Sequence, residues 1–293
     1  MPPTLPNCGT LLHMAQTGQP RVDVEPIHKA HAIAEMAVIL EFAPTVELAP
    51  SPWVNATPQL FGSDFTVEVA PVHQFNVTPS GMSTSAQIAY LVRKGGTSAS
   101  PAWLLRIEPA TVAVHCFSYS RWDHVWKEAR SYLDLLMPHL ASASQRLATI
   151  GLRYVDQFNF KSGPENFDPS KLLRPNKHLH AGAFDSGTRW HCHTGWFDEQ
   201  PGPEVLHQLN INSVVPTPGG PTADPLIAVD HVQLIRQQPG ATLPPYLHSS
   251  AQGKLLDDLM QRLHDSNKVV MLELLQPAIA KRINLSAKKG GGT

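Results

Sequence analysis

A period of two in the apolar residues, recurring along most of the chain and punctuated by proline, sets the narrowest limits on what this sequence can fold into. In EMAVILEF, Met36, Val38, Leu40 and Phe42 share one face of an extended strand. In TVAVHCF, Val112, Val114 and Cys116 do the same, with His115 and Phe117 opposite. DFTVEVAPVHQFNV, AQIAYLVRK, AWLLRIE and RLATIGLRYVDQFNF extend the pattern, and Pro71 is expected to break or bulge the first of these. TRWHCHTGWF, EVLHQLNINSVV and IAVDHVQLIR supply a second group of strands. Alternation of this kind belongs to antiparallel sheets with one face buried.

Two segments switch to helical spacing. Ser120 and Asp123 form an S-x-x-D start signal, after which Trp122, Val125, Trp126, Ala129, Leu133 and Leu136 lie on one stripe. Pro138 should end or kink that helix. A second helix is predicted to start after Ser249 or Ser250, to turn Leu256, Leu259, Leu263, Val270 and Leu274 inward, and to end near Pro277. Each strand group is thus followed by a long helix. The fold class is α+β, with antiparallel sheet or sheets and two long helices, and the repeated order suggests a degenerate duplication of a strands-then-helix unit. One domain is expected over residues 26–285, with halves at about 26–160 and 161–285. Residues 1–25 and the tail 286–293, which ends KKGGGT, are expected to lack order. Prolines clustered in the first ~25 residues and in 44–58, 201–225 and 239–245 mark loops.

With 293 residues, 42% of them hydrophobic, the chain can bury a sizeable core without a metal or disulfide staple. A net charge of -1, from 23 basic against 24 acidic residues, disfavours binding dominated by phosphate neutralisation, so nucleic acid is an unlikely partner by this criterion. Cys8, Cys116 and Cys192 are odd in number and far apart, which reads as reduced thiols. The N-terminus has no basic start followed by an apolar run, and nothing approaches the roughly 20 apolar residues that span a bilayer. Cytoplasmic residence without membrane association is the expectation.

Four landmarks then occur in order. HKAHAIAEMAVILEF opens the series, and WLLRIEPATVAVHCFSYSRWDHVWKEARSYLDLL follows, carrying an aromatic Y-x-x-W into the first helix. RLATIGLRYVDQFNF and LLDDLMQRLHDSNKVVMLELL, with its LH step, complete it. Together, over about residues 28–285, they resemble the sporadically distributed bacterial family TIGR04255, from which the proline-rich stretch at 201–225 departs. The resemblance implies a fold and a bacterial origin. The family has no assigned activity, so no site residue carries over.

Candidate site residues therefore come from the pattern alone. On an extended GLRY strand, Leu152, Tyr154, Asp156 and Phe158 face one way, and Gly151, Arg153, Val155 and Gln157 the other. Arg153 would present a planar fork of donors beside a glycine that permits close approach, which suits an anionic or peptide-carboxylate ligand. The competing reading pairs Arg153 with a neighbouring carboxylate and lets Gly151 mark a bulge or close packing against the Trp122 helix. Trp103, Tyr119, Trp122, Trp126, Trp190 and Trp196 can line a groove between sheet and helix, although Trp122 and Trp126 have core spacing. Arg153, Tyr154, Trp190 and Trp196 are thus the candidate ligand-binding residues.

Two H-x-H pairs, His178 with His180 and His191 with His193, would each place both imidazoles on one face if extended, as metal ligation requires. Cys192 would point away from its flanking histidines, and H-E-x-x-H is absent. G-x-x-x-x-G-K-[ST], G-x-G-x-x-G, C-x-x-C and G-x-S-x-G are also absent, so P-loop hydrolysis, dinucleotide redox and elbow-type esterase chemistry lack their enabling loops. His115 or His231 beside Asp230 identify no triad, because triads are recognised by geometry. No cofactor is expected. These observations favour a non-enzymatic binding or regulatory module that engages a protein partner or a small anionic ligand, in keeping with a defence or mobile-element context. The alternative is a metal-assisted hydrolase using His191 and His193.

Overall fold

The computed structural model describes residues 23–43, 60–78, 81–95, 101–140, 146–161, 163–185, 187, 189–198, 203–214, 224–236 and 250–286. Residues 1–22 with Cys8, Ser249, residues 287–293, the proline stretches 44–58 and 239–245, and 201–202 and 215–223 of the stretch 201–225 lie outside the described residues.

Among the described residues ten strands form one antiparallel sheet. They are β1 (Val24–Pro26), β2 (Ile33–Ala43), β3 (Phe65–Thr78), β4 (Gly81–Lys94), β5 (Trp103–Ile107), β6 (Thr111–Cys116), β7 (Arg146–Phe160), β8 (His191–Phe197), β9 (Val205–Val214) and β10 (Leu226–Arg236). Their order is β3-β4-β5-β6-β2-β7-β10-β9-β8, and β1 pairs the end of β7. Two long helices, α1 (Trp122–Leu140) and α2 (Ser250–Leu274), cover one face, and a short α3 (Pro277–Arg282) follows. This is the α+β class that the alternation predicts.

The strands-then-helix repeat appears as topology. β2 and β7 pair at the centre, Met36 against Tyr154 and Val38 against Leu152. In each half the last strand before the helix returns to pair with the first, β6 with β2 and β10 with β7, while the other strands step outward. β3 and the off-path β1 have no counterpart in the second half among the described residues.

Two prolines behave differently from expectation in detail. β3 runs through Pro71 without a register shift, Pro71 lying opposite Ile88. β3 is the outermost described strand on its side, and an edge strand needs only alternate N–H groups for its ladder, so proline is accommodated there. Pro138 lies within the last turn of α1 rather than at its end.

Alternation decides which face is buried. Met36, Val38 and Leu40 of β2, Val112 and Val114 of β6, and Leu152 and Tyr154 of β7 pack under Val125, Leu133 and Leu136 of α1 and Leu259, Met260 and Leu263 of α2. A second cluster holds Phe158, Ile211, Ile227 and Val229 against Val270, Met271 and Leu274 of α2, closed by Leu172, Leu173 and Leu179 from the β7–β8 connection. Each such side chain contributes about 1.5–3 kcal/mol when fully buried. The same connection satisfies carbonyls that the end of α2 leaves open: Arg174 donates to the Leu272 carbonyl at 2.6 Å and Asn176 to that of Glu273 at 2.9 Å. That clamp fixes His178 beside the last turns of α2.

Gly151 marks no bulge and does not pack against α1. A Cβ there would lie 2.7 Å from Leu234 Cδ2 and 3.3 Å from Ile39 Cβ, so glycine lets Leu234 and Ile39 close over β7 on the face away from the helices.

Candidate functional site

The two apolar clusters are separated by a polar band beneath α2. Asp156 stands between Tyr154 and Phe158 on β7, His231 and Gln233 between Val229 and Ile235 on β10, and His207 between Val205 and Leu209 on β9. His264 and Asn267 stand between Leu263 and Val270 on α2. All six are buried, and the register sets His231 opposite Tyr154 and Gln233 opposite His207. Gln233 has both amide atoms buried without a partner among the described residues. Leaving a buried polar group unsatisfied costs about 1–3 kcal/mol, so Gln233 marks a place in an otherwise apolar interior where stability is sacrificed.

Opposite flanks of α2 carry a cavity each. The larger, about 750 Å³, is lined by Tyr119, Trp122, Tyr154, Asp156, His264 and Asn267, with His31 and Ile33 at the entry to β2 and Gln261 and Lys268 on the helix. Tyr119 hydrogen-bonds Tyr154, whose hydroxyl lies 2.8 Å from His264 Nδ1. Trp122 stacks on His264 with centroids 4.3 Å apart and donates its indole N–H to Gln261 at 2.8 Å. These contacts engage the aromatic groups with one another. Asp156 differs: it is only 5% exposed, and burial pushes its carboxyl up to about 7, with no hydrogen bond or neighbouring charge among the described residues to pull it back. His31 Nδ1 is also buried without a partner there, and burial followed by the nearby His28 lowers its pKa.

The second cavity, about 510 Å³, opens on the other flank between Trp196, His207 and Asp198 of the sheet edge, His178, and Arg262, Val269 and Val270 of α2. Trp196 stacks on His178, with centroids 3.8 Å apart, and on His207, at 4.8 Å. A file of hydrogen bonds leads inward from it: His207 Nδ1 lies 3.1 Å from His231 Nε2, and His231 Nδ1 lies 2.8 Å from Asn267 Oδ1. An amide oxygen only accepts, so His231 Nδ1 carries the proton and donates to it. Burial holds His231 down to about 3 and His207 to about 4, so both rings are neutral. His231 Nε2 therefore accepts from His207 Nδ1–H, and His207 Nε2 is left with a bare lone pair, buried at the wall of the cavity.

The sequence-derived candidates divide between the two faces of the sheet. Tyr154 and Trp196 border the two cavities, Tyr154 by a fully buried ring. Trp190 packs against the second apolar cluster, with its indole N–H buried and unpartnered among the described residues. Arg153 lies on the opposite, half-exposed face, and its fork is taken. Nε donates to Asp230 Oδ1 at 2.8 Å, Nη2 to Asp230 Oδ2 at 3.0 Å, and Nη1 to Glu35 Oε1 at 3.3 Å. His115 bonds the same Glu35 oxygen at 2.7 Å and is the main reason that carboxyl stays below its ordinary value. Arg153 is thus a strut across β2, β7 and β10. Replacing it with methionine is expected to destabilise the protein by about 1–2 kcal/mol, because Asp230 and Glu35 lose their shared cation. Urea unfolding reads this, and an unchanged midpoint would show that the network contributes nothing.

His191 and His193 share the exposed face of β8, as the H-x-H spacing predicts, and each bonds a cross-strand amide: His191 to Asn212 at 2.5 Å, and His193 to Asn210. Among the described residues no group of three or more His, Cys, Asp or Glu side chains could hold a metal ion. His178 and His180 do not form a strand pair. His180 caps the short 3-10 turn Ala181–Ala183, and His178 turns inward to Glu273 at 3.1 Å. Among the described residues, no helix is long and apolar enough to cross a membrane.

Asp156, His207, His231 and Asn267 were not singled out as site residues by pattern. Their signal was a polar residue at an inward-facing position of an otherwise apolar strand or helix face, which is visible in VLHQL, AVDHVQL and RYVDQF once the inward parity is assigned. In comparison with known proteins, no family model matches the chain, and no curated protein matches it.

Proposed function

We propose that this chain is a binding protein and that it takes a small ligand carrying an N–H donor, an amine foremost, in the cavity between α2, β7 and the start of β2. The observation that carries this reading is the buried, unpartnered Asp156 carboxyl opening into an aromatic-lined cavity. A lone carboxylate removed from water is costly, and an ammonium or other N–H group placed against it recovers that cost in a medium of low dielectric. The anionic ligand expected at Arg153 has less support, because Asp230 and Glu35 already occupy the guanidinium. Membership of the sporadic bacterial family and an accessory role in defence or mobile elements belong to this reading as its setting, resting on the four ordered sequence landmarks, and cytoplasmic residence on the absence from the sequence of a signal-like start or a membrane-spanning apolar run.

The test is calorimetric titration with primary amines of increasing size and with carboxylic acids of matching skeleton. An amine is expected to bind and to lose at least tenfold in affinity in Asp156→Asn, a factor equal to about 1.4 kcal/mol. Binding of the acids alone, or amine binding indifferent to Asp156→Asn, overturns the reading. A second reading makes Asp156 a general acid–base group, favoured by a carboxyl that titrates near neutrality. Chemical conversion of a bound amine, lost in Asp156→Asn, would select it.

A further inference from the structure

The smaller cavity carries a different chemistry. His207 is 1% exposed, and its Nε2 has no hydrogen-bond partner among the described residues. The His231–Asn267 file fixes that nitrogen as an acceptor. Arg262 donates from Nη1 to the Pro203 carbonyl at 3.0 Å, but its Nη2 is buried with no hydrogen-bond partner among the described residues. Asp198 Oδ2 stands 4.0 Å from His207 Nε2 and 4.0 Å from Arg262 Nη2, too far for a hydrogen bond to either. One acceptor nitrogen, one donor and one carboxylate oxygen thus come together at the wall of this cavity.

The atom that completes this arrangement is constrained by its neighbours. A carboxylate or phosphate oxygen has no proton for His207 Nε2 and is repelled by Asp198. An ammonium can donate to His207 and Asp198, but it accepts nothing from Arg262 and meets like charge there. A hydroxyl does both: it donates to the imidazole or carboxylate and accepts from the guanidinium. A second hydroxyl on the adjacent carbon reaches the remaining acceptor, while Val269 and Val270 on α2 offer an apolar wall to a ring or chain carrying those hydroxyls. The volume, about 510 Å³, lies within the roughly 300–1,000 Å³ of small-molecule sites.

We propose that this cavity is a second ligand site, distinct from the amine cavity, which recognises a neutral polyhydroxylated molecule of the sugar or polyol class through His207, Arg262 and Asp198. The experiment is a long-range proton–nitrogen spectrum of the full chain labelled in its histidines. His207 is assigned by its loss in His207→Phe, a substitution that keeps an aromatic ring against Trp196. Ribose, glucose, inositol and glycerol are titrated at millimolar concentration, with acetate, phosphate and methylammonium as ionic probes. The expected result is a pyridine-type Nε2 at His207 that moves upfield saturably with at least one hydroxylated probe. Affinity for that probe should fall tenfold or more in Asp198→Asn and in Arg262→Met, both of which alter partly exposed side chains and leave the core intact. No shift with any hydroxylated probe means that the cavity takes no polyol, and the proposal is overturned. A response to an ionic probe in place of the polyols overturns it as well. The readout is a nitrogen on the far flank of α2 from Asp156, so either site can fail without the other.

Discussion

Asp156→Asn is expected to raise the melting temperature of the unliganded protein at pH 8 and to leave it nearly unchanged at pH 4. The carboxyl titrates at about 7 in the folded chain, whereas an unfolded aspartate titrates near 3.9. Between those values the folded state binds a proton that the unfolded state has lost. Stability therefore falls as pH rises from about 4 and levels off once the pH passes about 7. A shift of three units corresponds to roughly 4 kcal/mol at full ionisation, and for a chain of this size that is on the order of 10 °C in melting temperature. Asparagine keeps the shape and removes the titration, so the difference between variant and parent should open up across that window. A difference that does not depend on pH would mean that Asp156 is not a lone buried acid. Saturation of the parent with an amine should narrow the gap, because the ligand then supplies the partner that the fold withholds.

The second large effect has the opposite sign. His207 and His231 are held neutral by burial, at about 4 and about 3 respectively, against about 6.5 for an unfolded histidine. Below about 6.5 the unfolded chain takes up protons that the folded chain refuses, so the stability due to their neutrality is complete above that pH and drains away as pH falls toward 4 and 3. At pH 5 each ring accounts for a loss of about 2 kcal/mol. Urea unfolding of the Asp156→Asn protein at pH 7 and pH 5 measures the sum, because in the parent the Asp156 carboxyl offsets it over the same interval. Adding His207→Phe to that background should shrink the drop between the two pH values by about half, even if the double variant is less stable at pH 7. An undiminished drop would place the acid sensitivity elsewhere. Between about pH 4 and 6.5 the Asp156 and histidine effects oppose each other, so the parent's own profile is flatter there than that of either variant.

The paired roles of β7 illustrate how much of the site was legible. Alternation along RLATIGLRYVDQFNF separates Tyr154 and Asp156 from Arg153 and Gln157, and the two sets do occupy opposite faces. It also makes Arg153 conspicuous, since a cation beside glycine on a strand is chemically loaded. Its actual partner, Asp230, lies 77 positions along the chain, and no local signal connects them. Trp196 was legible as an aromatic near a groove. That it stacks on His178 and His207 depends on the clamp of Arg174 and Asn176 on the end of α2.

Alternation places Asp156 on the face of Leu152, Tyr154 and Phe158 without marking it as a site, because an inward aspartate gains meaning only when its surroundings are known to lack a cation. The same holds for His207, His231 and Asn267, which lie on three different elements and become a file only when β9, β10 and α2 are stacked.

By itself the sequence determined the strands, the two long helices and the inward face of each, because periodicity depends on the geometry of residues two to four positions apart. It likewise determined that the strands are antiparallel and that the chain repeats a strands-then-helix order. The tertiary structure alone decided which strands are neighbours, that β2 and β7 meet at the centre, and that polar residues from four elements align in one band under α2. Strand order and helix placement minimise exposed apolar area over the whole chain. A polar band with a cavity on each flank arises from that global packing, and no window of sequence contains it.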